Sequence, residues 1–519
     1  MAARVLGRLP SYLRHPLTIP ECRAVVARRL AGRVSSFLEL ARRAIFEQPD
    51  SPYRALLRHA GCEQEDLARL VHDEGIEGAL RTLCRAGVYL TVDEFKGRRP
   101  AVRGSTSIDV DPDRLCNPLC VPHLWSSTGG SRGPATRVRL DLRCVRERAV
   151  NMFLALDARG GARWRNAVWG IRGISPLLWY SACGGPASRW FVQLDPAMRD
   201  TRQRFLWSAR TLVWASRLAR VPLPRPEYVS IERPQRIVDW LRQTLLKGEV
   251  PHLWGSPSAV VRLCEEAART SVDLDGARFT ITGEPVTSAR LAAIRGVHGD
   301  AVPDYGAVDS GGTIAYGCLA PLAPDEVHVF SDLNAVIEAD APALPAGALL
   351  VSSLQDTAPF ILVNVSMGDR ATITQRRCGC AMEGLGWNTH LHGIRSFEKL
   401  TAGGMTFDDT DVIRVLEEVL PGCFGGGPTD YQLIEDTRED GHARLRLLVH
   451  PKLGPLDPTL LCDVFVRAVG GDDETRSDMA AQWRDGGFLR IDRTAPHRTE
   501  TGKILHLIAA PASRSAGAP

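Results

Sequence analysis

The chain has 519 residues, 44% of them hydrophobic, and its 64 basic and 60 acidic residues leave a formal net charge of +4. That length and apolar content support two or three domains with buried cores and exclude a disordered chain, while the scattered charge lacks the concentrated basic face of a nucleic-acid binder. The 13 cysteines, with no secretory signal and no apolar run long enough to cross a bilayer, lead us to expect reduced thiols, a cytoplasmic location and no membrane span.

Residues 1–100 read as a helical N-terminal region. The first twenty, MAARVLGRLPSYLRHPLTIP, contain arginines and no acid, as a transit peptide does, but prolines interrupt any amphipathic helix. VSSFLELARRAIF, CEQEDLARLVHDEG and IEGALRTLCRAG then place apolar residues at three- and four-residue steps, as an appendage or packed lid would. At 123–142 comes HLWSSTGGSRGPATRVRLDL. Small and hydroxylated residues from Ser126 to Ser131 precede Arg132, Gly133 and Pro134, and TRVRLDL alternates as a strand. Neither the GxxxxGK[ST] nor the GxGxxG spacing is present, so this loop lies between strands and does not open a helix.

The aromatic stretch ARWRNAVWGIRGISPLLWYSACGG suits a pocket wall or a buried strand pair, with Trp179, Tyr180 and, further on, Trp254 as candidate acid-pocket residues. From residue 233 the signals alternate. RPQRIVDWLRQTLLKGEV is helical; HLWGSPSAVVRLCEEAART is a strand, a turn and a helix capped by Ser256 with Pro257 first; ARFTITGEPVTSARLAAIRGVHG repeats the scheme. Such alternation builds a parallel sheet whose ligands lie beyond the carboxyl ends of the strands, where TGEP and DYGAVDSGG fall. Beyond 395 the texture becomes α+β: TDVIRVLEEVLPG, DYQLIED, ARLRLLVH and TLLCDVFVRAVG. The expected division is a helical region at 1–100, a large domain at 101–394 and a small domain at 395–519.

Five stretches in order, SSTGGSRGPAT, TGEP, YGAVDSG, NVSMGD and RTETGKI, resemble the motifs of the adenylate-forming superfamily, most closely its phenylacetate–coenzyme A ligase branch and the related acyl-protein synthetases. The resemblance covers residues ~90 to 510. It implies an α/β fold: a large N-terminal domain with doubly wound sheets and a small barrel-like part, then a small mobile α+β domain. It also implies activation of a small carboxylic acid with ATP and Mg2+, then transfer to coenzyme A. Two alternatives stay open: transfer to a protein or carrier thiol, and a catalytically dead nucleotide-binding homologue.

Each stretch has a physical role under that resemblance. In Ser127, Thr128, Gly129, Gly130, Ser131 and Arg132, glycines admit phosphate oxygens, hydroxyls donate to them and the arginine supplies charge where the family usually has lysine. Gly283 and Glu284 join the nucleotide set, as does Gly306 beside Tyr305, which is implied to stack on adenine. Asp309 stands where the family generally has glutamate near the metal. Asp369 would accept two hydrogen bonds from ribose hydroxyls, and Arg395 matches the hinge arginine, followed by Phe397 where an acid is usual. Lys503 is implied to touch the acid's carboxylate and the α-phosphate. It is conspicuous because only Lys96, Lys247, Lys399, Lys452 and Lys503 are lysines in an arginine-rich chain. Cys318, His328, Cys378 and Cys380 supply four ligands suited to tetrahedral zinc.

Overall fold

A computed structural model describes residues 2–127, 137–170, 173–183, 187–193, 199–397, 401–402, 405–406, 409–437, 443–470, 489–499 and 502–509. The N-terminal helices are α1 (Ala2–Arg14), α2 (Ile19–Ala31), α3 (Arg33–Ala41), α4 (Pro52–His59), α5 (Gln64–Arg85) and α6 (Val92–Phe95). Thr18 and Glu21 form a reciprocal cap that starts α2, and Gly75, at φ +72°, kinks α5 where two helical stretches meet. Two hairpins follow, β1 (Ala101–Arg103) with β2 (Thr106–Ile108), and β3 (Leu124–Ser127) with β4 (Arg137–Leu140). The second embraces the glycine-rich loop, so the chain runs from strand to strand there.

Next come α7 (Leu142–Ala158), β5 (Arg165–Gly170), α8 (Ile174–Ala182), β6 (Arg189–Val192), α9 (Arg199–Leu218), β7 (Pro226–Tyr228), α10 (Gln235–Leu246), β8 (Pro251–Gly255), α11 (Pro257–Arg269), β9 (Arg278–Thr282), α12 (Ser288–Arg295) and β10 (Asp300–Ala307). The aromatic stretch is thus a strand and a helix, not a strand pair. β11 (Gly312–Gly317), β12 (Val327–Val329), β13 (Asn334–Glu338), β14 (Ala348–Ser353), β15 (Val365–Gln375) and β16 (Thr389–Ser396) complete one sheet, in the order β13-β14-β15-β16-β12-β11-β10-β9-β8-β5-β6-β7.

The half from β10 to β7 is parallel and the half from β10 to β13 antiparallel, so β10 is the seam, parallel to β9 and antiparallel to β11. Helices cover both faces of the parallel half, as buried parallel strands require. Trp169, Leu253, Phe279 and Ile281 pack under α10–α12, while Val168, Trp190 and Val302 share the other core with α7, α8, α9 and the N-terminal helices. The N-terminal region therefore belongs to the main core. The chain reverses its winding between β5 and β8, a switch point of the kind beside which open α/β sheets place ligands.

A short hairpin, β17 (Thr401–Ala402) and β18 (Met405–Thr406), leads to a small C-terminal α+β unit. It comprises α13 (Asp409–Arg414), α14 (Leu420–Phe424), β19 (Tyr431–Thr437), β20 (Ala443–Val449), α15 (Pro458–Gly470), β21 (Leu489–Asp492) and β22 (Leu507–Ala509). Its sheet runs β21-β20-β19-β22, and its own core includes Val412, Leu416, Leu433, Leu447 and Phe465. The α/β class expected from sequence holds, with the small unit on a sheet of its own. No helix among the described residues is long and apolar enough to cross a membrane.

The seam sets a local limit. A Cβ on Gly306 would lie 2.5 Å from the Gly312 carbonyl oxygen and 2.7 Å from Thr313 Cα, so β10 and β11 approach too closely there for any side chain. Gly306→Ala should therefore destabilise the protein by on the order of 1–3 kcal/mol, as overpacking does. Urea denaturation checks this; an unchanged midpoint would mean that the crossing relaxes freely.

Candidate active site

A cleft of ≈ 300 Å³ opens at the carboxyl end of β10. Gly283 and Glu284 after β9, Tyr305 and Gly306 on β10, Asp309 beyond it, Asp369 on β15, Arg395 on β16 and Lys503 from the C-terminal unit all line it. Residues far apart in sequence thus meet in one place. The Tyr305 hydroxyl donates to Asp369 Oδ2 at 3.1 Å. Burial, and then the adjacent carboxylate, push that phenol well above its ordinary range, so it stays protonated and a donor.

Lys503 follows a turn in which the Gly502 N–H donates to the Thr499 carbonyl and the Lys503 N–H to Thr499 Oγ1 at 3.1 Å. Its ammonium reaches over Gly283, where a Cβ would lie 2.6 Å from Nζ. Gly283 also has φ +83°, so both the turn and the lysine require glycine.

The C-terminal unit is docked through a buried ion network. Arg290 on α12, 1% exposed, donates to Glu284 at 2.7 Å and to Glu417 of the small unit at 2.7 Å. His506 Nε2 lies 2.6 Å from Glu417, and the Thr287 hydroxyl donates to the same carboxylate. Burial alone would raise the Glu417 carboxyl, but Arg290, His506 and Thr287 together hold it below the usual glutamate range. The Ile504 N–H donates to Ser258 Oγ at 3.3 Å, and Arg290 reaches the Ile504 carbonyl at 3.4 Å. The lysine's neighbour is therefore tied to the large domain on both sides. A second set at the rim joins Arg262 to Asp430 at 2.8 Å and Lys452 to Asp430 and Glu265, each at 2.9 Å.

Several expected residues behave differently from a free nucleotide contact. The Glu284 carboxylate lines the cleft but accepts from the Ser258 N–H and hydroxyl and from Arg290, so it acts as an anchor of the network. Arg395 donates to Asp325 at 2.9 Å, and Asp325 also accepts the N–H groups of Gly393 and Ile394, which fixes the turn-side end of β16. Trp179 and Tyr180 are buried between α8 and the sheet and do not line the cleft, while Trp254 donates to Asp304 at 3.3 Å. Asp309 Oδ2 accepts from Lys96 Nζ at 2.7 Å, and its Oδ1 is buried without a partner. The sequence reading passed over Lys96, although the scarcity of lysine could have marked it, and gave no sign of Asp325, Arg290 or His506. Ser127 ends β3, with its side chain outside the described residues, as are Thr128, Gly129, Gly130, Ser131 and Arg132.

Outside the cleft lining, the ligand atoms of Cys318, His328, Cys378 and Cys380 all lie within 4.8 Å of one another. Cys318 follows β11, His328 sits on β12 and the Cys-x-Cys follows β15. The His328 Nδ1–H donates to the Trp387 carbonyl at 2.6 Å, which leaves Nε2 facing the sulfurs of Cys378 and Cys380 at 3.6 and 3.3 Å. Arg376 and the Cys380 N–H point at Cys318 and Cys378 sulfur respectively, as donors to thiolates do.

No protein-family model and no curated protein matches this sequence. Among solved structures, the chain is similar to a 2-hydroxyisobutyryl-CoA ligase in complex with 2-HIB-AMP and CoA, at 15% identity and TM-score 0.44, over 96% of this chain and 92% of that one. It is also similar to the anthranilate CoA ligase AuaEII bound to anthranoyl-AMP, at 10% identity and TM-score 0.45, over 73% and 65% of the two chains. A third is the amide bond synthetase McbA from Marinactinospora thermotolerans, at 14% identity and TM-score 0.41, over 87% and 91%. Likeness of this degree assigns no residue a role, so the functional reading stands on the site itself.

Removing Arg290 leaves two buried carboxylates without their partner. Arg290→Met should lower stability by on the order of 3–5 kcal/mol. The depressed Glu417 carboxyl adds stability above its ordinary value of 4.5, and that stability is lost as pH falls through the lower folded value. Stability measured from pH 7 down to 3 should therefore fall less steeply in Glu417→Gln than in the native chain; parallel curves would remove Glu417 from the network's energetics.

Proposed function

We propose that the chain activates a carboxylic acid with ATP, forming an acyl adenylate and pyrophosphate, and passes the acyl group to a thiol, coenzyme A in the first instance. The observation that carries this reading is the convergence of Tyr305, Asp309, Asp369 and Lys503 on one cleft. It combines a phenol, two carboxylates and a cation, the groups that a nucleotide and a reacting carboxylate need. The family is read as adenylate-forming, in the phenylacetate–coenzyme A ligase branch, on the same residues.

In this mechanism Tyr305 presents its ring to adenine, while its hydroxyl orients Asp369 toward the ribose hydroxyls. Lys503 stands above Gly283 in the cleft, where it would meet the α-phosphate and the acid's carboxylate. Its compact ammonium neutralises both as the carboxylate oxygen attacks and pyrophosphate leaves. The loop from Ser127 to Arg132 would hold the β- and γ-phosphates. Magnesium carried by the nucleotide would meet the unpartnered Asp309 Oδ1 and supply charge neutralisation at the phosphates. Thioester formation then needs the small unit to rotate and withdraw Lys503, with Arg395 near the pivot. Asp309 and its ammonium partner Lys96 also support a second reading, a homologue that binds nucleotide without turnover. Pyrophosphate exchange in the absence of thiol separates the two, and mass analysis of the product tells coenzyme A from a protein thiol.

For the sulfur cluster we infer one structural zinc, bound by Cys318, Cys378, Cys380 and His328 Nε2. The fixed histidine tautomer and the N–H groups aimed at sulfur suit that ion. Purified protein should contain about one zinc per chain, and chelation should lower its melting temperature, because such binding couples to folding. Cys378→Ser should mimic chelation. Metal analysis that finds none would end the assignment.

The half-reactions test the main reading. Lys503→Ala should slow adenylation by about 10²- to 10³-fold, the usual loss for one preorganised donor, and leave conversion of a supplied acyl adenylate nearly unchanged. Equal damage to both steps would refute a lysine that acts in one alone. Asp369→Ala should weaken ATP binding by about 2–3 kcal/mol through loss of charge-assisted hydrogen bonds; an unaltered affinity would put the ribose elsewhere.

A further inference from the structure

Asp304 stands one residue before Tyr305, lines the same cleft and is otherwise buried. Its Oδ2 accepts from Trp254 Nε1 at 3.3 Å and from Thr313 Oγ1 at 3.2 Å, whereas Oδ1 is buried with no partner. Two buried groups of α8, Trp179 Nε1 and the Tyr180 hydroxyl, are also without a partner. The Trp179 ring edge abuts Gly312, where a Cβ would lie 2.7 Å from Cζ2, and Gly312 adjoins the Thr313 that donates to Asp304. The Tyr180 phenol, raised first by burial, also feels the charges of Tyr316 and Asp304.

Gly170 ends β5, and the Trp254 ring that donates to Asp304 lies against it: a Cβ on Gly170 would stand 3.4 Å from Trp254 Cζ3. Polar side chains elsewhere in this core pair with one another. His252 pairs with Asn166 at 2.8 Å and with Thr280 at 2.8 Å, Thr280 pairs with Tyr316 at 2.8 Å, and Arg148 donates to the Thr313 and Ser310 carbonyls. Asp304 Oδ1 has no such partner. A buried carboxyl oxygen without a partner is expensive to maintain, and a purely hydrocarbon acid would leave it so.

We propose that Asp304 is a specificity-determining residue, and that the acid this chain activates carries a hydrogen-bond donor, a hydroxyl or an amino group, on its carbon skeleton. The inference rests on the adenylation reading above. The donor would meet Asp304 Oδ1, the unpartnered oxygen of a carboxyl that lines the cleft. Trp254 and Thr313 hold the carboxyl in place, and the apolar walls exclude the water that would otherwise compete. Burial pushes the Asp304 carboxyl up to about 7, with Trp254 and Thr313 pulling the other way. A hydroxyl can bond to either form of that group, whereas a protonated amine stabilises the ionised form.

The experiment is pyrophosphate exchange on the full chain with matched acids: benzoate beside its hydroxy and amino derivatives, and hexanoate beside its hydroxy and amino derivatives. At least one donor-bearing acid should exceed its unsubstituted parent by about 10²-fold or more in kcat/KM, since a site built around a hydrogen bond rejects analogues that lack it. Asp304→Leu should invert that ratio. Asp304→Asn should keep hydroxy acids and lose amino acids if an amine is the natural group, and keep both in proportion if it is a hydroxyl. ATP binding measured on each variant confirms that it is folded. Efficient exchange with the unsubstituted parents, or a ratio unmoved by Asp304→Leu, overturns the inference and leaves adenylation standing. No exchange with any acid removes the adenylation reading and this one with it.

Discussion

Arg290 is the residue on which the rest of the site depends. It is buried between two carboxylates, one from each part of the molecule, and its guanidinium also reaches the carbonyl next to Lys503. Charges taken out of water are tolerated only when every partner is in place, so the contact is made as a unit or not at all. The network's composition suits a reversible joint. If the small unit rotates as proposed, Glu417 and His506 return to solvent and recover hydration. The rim pairs Arg262–Asp430 and Lys452–Glu265 have the same character. An interface of this kind holds Lys503 in register without making its departure prohibitive, which a two-step reaction needs.

The cleft also distributes its charges unevenly. Lys96 answers Asp309 from the N-terminal region, and Lys503 enters the cleft from the C-terminal unit, so two of the chain's scarce lysines flank the same space. Arginines do the structural pairing elsewhere, where a planar fork can hold two acceptors at once. Arg290, Arg103 and Arg148 each hold several buried acceptors and make rigid junctions. The division follows from geometry: a fork fixes neighbours, and a flexible point charge can approach a reacting group and withdraw.

Much of this was legible in the sequence because it depends on local pattern. The alternation from residue 233 to 307 became strands and helices at the expected places, with Pro257 opening α11, but Ser256, expected to cap that helix, makes no side-chain cap hydrogen bond. Tyr305, Asp309, Asp369 and Lys503, which the structure brings to one cleft, stood out because each falls in a recognisable stretch, although Tyr305 lies within β10 and Asp369 within β15 and not at a strand's end. The stretch around Trp179 was misjudged because a wholly buried helix lacks the three- and four-residue contrast that marks an amphipathic one. Lys96, Asp325 and Arg290 were missed for another reason. Their roles come from pairings across 213, 70 and 127 residues of sequence, and no local spacing records such partners.

The seam strand explains why acid and nucleotide could be selected together. Successive residues of a strand point to opposite faces, so Asp304 turns toward α8 and Trp254 while Tyr305 turns toward Asp369. On the proposed reading, one rigid stretch of backbone therefore carries a contact for each substrate. The register shift between Tyr305 and Gly306 and the close approach of Gly312 fix that stretch against β11, so neither contact can move without the other. A substituent held by Asp304 then sets how far the acid enters, and with it the distance between the acid's carboxylate and a nucleotide stacked on Tyr305. Selectivity and alignment for attack are on this geometry the same property, because an acid that fails to reach Asp304 also leaves its carboxylate out of line with Lys503.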